Sequence, residues 1–135
     1  MSEESAQEAY QRGADQLEMN QLDPAIASFG RAIKRDPTMA AAYMGRAQAF
    51  ATKGDIRQAL HDWGRVMALS ASPEVESDEA IDEFAKRAAG TVIRVAKEYD
   101  DTQSQVDQVL LDELVSIAET ILFPDNEGST GPYRM

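Results

Sequence analysis

Two stretches of this chain repeat the same pattern 34 residues apart, and that spacing limits the fold more than any other feature. Gly13, Ala25-Ile26 and Phe29-Gly30-Arg31-Ala32 in the first answer to Ala47, Ala59-Leu60 and Trp63-Gly64-Arg65-Val66 in the second. A fixed period of this length marks an array of stacked units. No unit buries its apolar face alone, so neighbours complete one another's core.

Each stretch reads as a helical hairpin. Ala25, Ile26, Phe29, Ala32 and Ile33 form one apolar stripe at helical period, and Ala59, Leu60, Trp63 and Met67 form its counterpart. The spacing predicts a first helix from about Ser5 to Met19, stopped by Asn20 in the left-handed conformation. Asp23-Pro24 and Asp36-Pro37 read as cap plus first helical residue of the second and third helices. Gly54-Asp55 ends the third helix and caps the fourth, which runs to about Leu69.

These positions resemble the tetratricopeptide repeat family. Its small residue in the first helix of each hairpin is matched by Gly13 and Ala47. The small and aromatic pair of the second helix is matched by Ala25 and Phe29, then by Ala59 and Trp63. The closing proline is Pro37 in the first unit and is displaced to Pro73 in the second. The resemblance covers residues 6–73, as units 6–39 and 40–73. It implies an all-α, right-handed superhelix of two hairpins, with residues 74–123 as a two-helix C-terminal cap and 124–135 as a tail.

Beyond Pro73 the strict period fails, since another step of 34 puts Ile81 where a small residue belongs. The chain instead predicts a long helix from Pro73 or Asp78 to Tyr99. A last helix from Thr102 to Phe123 follows, with Thr102 and Gln105 spaced as a capping box. Its apolar residues cover about half the circumference at roughly 100° per residue. Val109, Leu110, Leu114, Ile117 and Ile121 are expected to face the second repeat and the preceding helix. Leu111, Val115 and Leu122 are expected to make either a second internal contact or an oligomer face, which would give a homodimer through this helix.

Charge and composition narrow the function classes. The net charge is −11, and residues 74–135 carry 15 acidic and 5 basic side chains against 9 and 8 in residues 1–73. Nucleic acid is an unsuitable ligand, because phosphate neutralisation needs a clustered basic surface. There is no cysteine, and hence no thiolate site or disulfide. No stretch reaches the ~18 apolar residues of a membrane span, and the acidic start lacks signal-peptide blocks, so a cytoplasmic protein is expected. His61, the single histidine, neighbours Asp62 in sequence, but adjacent helical residues point apart. No catalytic, metal or cofactor constellation emerges, and a non-enzyme is expected.

The resemblance implies a concave groove lined by the first helix of each hairpin. Its facing positions are Gln7, Tyr10, Gln11, Ala14 and Leu17, then Ala41, Met44, Gly45, Gln48 and Thr52. That small, neutral, partly apolar lining suits an extended or helical peptide with apolar side chains. Family members that grip acidic heat-shock tails use Lys and Asn where this chain has Tyr10, Ala14 and Gly45, so that function is not expected. The expected role is a protein- or peptide-binding adaptor. The alternatives are a small acidic secretion or assembly chaperone holding an apolar client segment, and a self-associating structural subunit.

Overall fold

The computed structural model describes residues 4–73, 75, 79–99 and 108–124. They form six helices in order: α1 (Ala6–Glu18), α2 (Leu22–Arg35), α3 (Ala40–Lys53), α4 (Ile56–Ala71), α5 (Glu79–Tyr99) and α6 (Gln108–Leu122). No strand occurs among the described residues, and no helix there is long and apolar enough to cross a membrane.

Local chemistry explains most of the boundaries. The Ser5 hydroxyl accepts from the Glu8 backbone N–H at 3.0 Å, and the Glu8 carboxylate accepts from the Ser5 N–H at 2.8 Å, a reciprocal cap that starts α1. Asn20, at φ 61°, ends that helix as expected. Gly54, at φ 98°, ends α3, and Asp55 caps α4 by accepting from the Gln58 N–H.

Two proline readings are corrected. Helix α2 begins at Leu22, so Pro24 is its third residue, where the missing N–H would have had no helical partner in any case. Asp23 is free of capping duty and forms an ion pair with Lys53 of α3 at 2.7 Å. Before α3, Asp36 is held extended by the proline that follows it, at φ −142° and ψ 90°. Its carboxylate accepts from the Thr38 N–H and hydroxyl, making a turn that delays the helix to Ala40. The capping box at Thr102 and Gln105 lies outside the described residues.

Each helix packs on the next, while α1 touches α3, α3 touches α5 and α4 touches α6. Helices α5 and α6 therefore stack as a third hairpin on the second. The main core holds Tyr43, Leu60, Trp63, Val66, Met67, Val92, Leu111 and Leu114, with alanines between them. A smaller core within and beside the first hairpin is built around Phe29, with Ala9, Ala25, Ala32, Ala42 and Ala49.

Phe29 explains two glycines. A Cβ at Gly13 of α1 would stand 2.9 Å from the Phe29 ring, and one at Gly45 of α3 would overlap the same ring from the other side. Gly64 likewise leaves space for Leu114 of α6, whereas Gly90 of α5 has open space where its Cβ would lie. Gly90→Ala should therefore gain about 0.5–1 kcal/mol from helix propensity alone. Gly13→Ala should lose about 1–3 kcal/mol by overpacking against a fixed ring. Urea unfolding of the two variants checks the opposite signs.

The last helix meets expectation in part: Leu110, Leu114 and Ile121 join or pack against the main core, and of the two roles left open for Leu111, Val115 and Leu122 the structure shows the internal contact. Leu111 and Leu114 are buried, and Val115 and Leu122 are half-buried against the main core. Val109 and Ile117, expected inside, are 68% and 43% exposed. The chain's own packing thus covers Leu111, which is no oligomer face, and Val115 and Leu122 lean on the same core.

Candidate peptide-binding groove

Helices α1, α3 and α5 lie side by side, and their common face is a groove of about 660 Å³. Tyr10 and Leu17 line it from α1, with Ala41, Met44, Gly45, Gln48, Ala51 and Thr52 from α3. Ile56 and Trp63 of α4 reach it from behind. The far wall is α5, with Phe84, Arg87, Thr91, Arg94, Val95 and Glu98.

Of the positions expected from sequence, Tyr10, Leu17, Ala41, Met44, Gly45, Gln48 and Thr52 converge here. Gln7, Gln11 and Ala14 do not line the groove. Gln11 is exposed and donates to Asp15 at 3.3 Å, and Ala14 is half-buried on α1. Tyr10 divides its ring between the groove and the core, with its centroid 5.7 Å from that of Phe29. Gly45 contributes bare backbone, because Phe29 fills the place of its side chain.

The α5 wall escaped sequence reasoning, yet a signal for it exists. Ala41, Met44, Gln48, Ala51 and Thr52 of α3 are matched in spacing by Phe84, Arg87, Thr91, Arg94 and Val95 of α5, 43 residues on instead of 34. Residues inserted between the second and third units shift the register and break the strict period. The wall also changes the electrostatics. The lining is neutral on α1 and α3, but α5 adds Arg87 and Arg94 against the lone carboxylate of Glu98. The Arg87 guanidinium rests over the Phe84 ring at 5.7 Å, which holds both side chains along the rim.

A partly buried ion pair joins the two helices of the second hairpin. Asp62, on the inner side of α4, accepts from Arg46 of α3 at 2.9 and 2.8 Å in a two-pronged contact. The hydrogen bond to Asp62 raises the Arg46 pKa above its ordinary value, so the guanidinium stays charged. Since Asp62 is consumed in this pairing, it does not orient the exposed His61 beside it. Among the described residues no group of three or more His, Asp or Glu side chains is placed to hold a metal ion.

Three stacked helical hairpins, two of them at a 34-residue period, with first helices sharing one groove, define an all-α, tetratricopeptide-like repeat protein. Known relatives support that class. Tetratricopeptide repeat protein 36 of Xenopus tropicalis is 33% identical over 78 residues, covering 58% of this chain and 39% of the relative. The proteins of the same name from Bos taurus and Mus musculus are 45% identical over 53 residues and 41% identical over 59. Those matches cover 39% and 44% of this chain and 28% and 32% of the relatives, so the chain spans about a third of the length of the proteins it matches. No family model matches the chain.

Proposed function

We propose that this chain is a non-enzymatic protein-binding scaffold whose groove takes a peptide segment of a partner. The observation that carries this reading is the convergence of Tyr10, Leu17 and Met44 with bare backbone at Gly45 and small polar neighbours on one concave face. Apolar side chains of an extended or helical segment would fill the space between α1 and α3, and the backbone at Gly45 permits close approach. Arg87 and Arg94 on the opposite wall favour a segment with an acidic residue beside its apolar ones. The cysteine-free composition suits a cytoplasmic setting. An adaptor and a holder of apolar client segments both use this surface. Self-association through Leu111, Val115 and Leu122 is not part of the reading, since Leu111 is buried in the core and Val115 and Leu122 pack against it.

The test is steric. Gln48 is exposed on the groove floor, so Gln48→Trp fills the groove without touching the core. A partner recovered from the native source by affinity capture should lose at least about tenfold in affinity for this variant, or roughly 1.4 kcal/mol. Circular dichroism should be unchanged. Full-strength binding by the folded variant would place the interaction elsewhere.

A further inference from the structure

The two repeats treat one pair of arginines differently. In the first, Arg12 of α1 and Arg31 of α2 converge on the Glu4 carboxylate, each at 3.0 Å, and Arg31 also donates to Ser28 at 3.2 Å. The Arg31 hydrogen bond, with Arg12 adding to it, holds the Glu4 carboxyl below its ordinary pKa range. Thirty-four residues on, the equivalent arginines are Arg46 of α3 and Arg65 of α4, and the residue equivalent to Ser28 is Asp62. The position equivalent to Glu4 is Thr38, which is tied into the turn before α3 by Asp36. The second repeat therefore has both arginines and no carboxylate corresponding to Glu4.

What stands there is an open cleft of about 430 Å³ between α2 and α4, away from the groove's α5 wall. Ile33 lines it from α2, Tyr43 and Arg46 from α3, and His61, Asp62 and Arg65 from α4. Asp62 neutralises Arg46. Arg65 is exposed, lies over the Tyr43 ring at 5.8 Å, and has no carboxylate partner among the described residues. The cleft thus keeps one uncompensated positive charge beside an aromatic wall. In the first repeat, the matching place accepts a glutamate from the chain itself.

We propose that this cleft is a second binding site, which takes a glutamate or aspartate side chain from an acidic peptide segment of a partner, with Arg65 pairing the carboxylate. The proposal stands apart from the groove, because it uses another surface and other residues. A probe follows from the first repeat's own solution: the capped peptide Ser-Glu-Glu-Ser-Ala, copying residues 2–6, and its counterpart with both glutamates changed to glutamine. Each is titrated into the full isotope-labelled chain and followed by amide and arginine Nε–H resonances.

The glutamate peptide is expected to shift Arg65 Nε–H and the amides around His61–Arg65. Affinity should fall on the order of tenfold for the glutamine peptide and for Arg65→Gln, because a charge-assisted hydrogen bond is lost in each case. Four results would overturn the proposal: equal binding of both peptides, binding unaltered by Arg65→Gln in a folded protein, shifts confined to α5, or no shift at all. Inorganic phosphate serves as a further arm. If it reproduces the same shifts at equal affinity, the cleft is a general anion site and the peptide assignment fails.

Discussion

Trp63→Ala is expected to remove about 3–5 kcal/mol of stability, whereas His61→Ala changes it by less than ~0.5 kcal/mol. The two residues sit on the same helix, two positions apart, and face opposite environments. Trp63 is 6% exposed and lies in the main core between the second and third hairpins. Truncation removes its transfer free energy and leaves a cavity in the core that it shares with Leu60 and Met67. His61 is exposed at the rim of the cleft between α2 and α4. Urea denaturation monitored by circular dichroism separates the two, because the midpoint shifts with stability while the slope stays constant. Equal midpoints would mean that α4 is rotated about its axis.

The second large effect lies on α6. Leu111→Glu should leave the protein largely unfolded, because a carboxylate placed at a site 1% exposed within an apolar core costs several kcal/mol to bury. Ile117→Glu, on the exposed side of the same helix, should fold with nearly wild-type stability. Thermal melts of the two variants decide between this arrangement and one with Ile117 inside and Leu111 on an oligomer face. A stable Leu111→Glu protein would show that α6 does not dock as described.

The contrast at α6 shows where sequence is a poor guide. Apolar residues occupy half of that helix, so its stripe is too wide to point in one direction, and only docking on α4 and α5 selects Leu111, Leu114 and Ala118 for burial. In α1, α2 and α4 the periodicity is sharper, and terminal residues with a single conformational use support it. Asn20 and Gly54 could be placed because few residues accept their positive φ. Pro24 and Pro37 could not, since proline is tolerated both within a first turn and in the turn before it. The resemblance to tetratricopeptide repeats made Tyr10, Met44 and Gln48 legible as one face. Arg87 and Arg94 stayed hidden, because the third unit keeps the spacing of that face but not its distance along the chain.

The two cores differ in substance, and that difference bears on how the groove works. The core around Phe29 rests on one large ring among alanines, and Ile33 packs against both cores. The second and third hairpins share a broader set of large side chains. In a stacked array, the unit with the thinnest interface is the first to detach. The groove, however, draws its walls from α1 at one end and α5 at the other. An occupant touching both would act as a clasp across the weakest joint, so that part of its binding free energy is spent on holding the first hairpin in place. Recognition and assembly of the array are then one equilibrium, and mutations in the small core would weaken binding without touching the ligand.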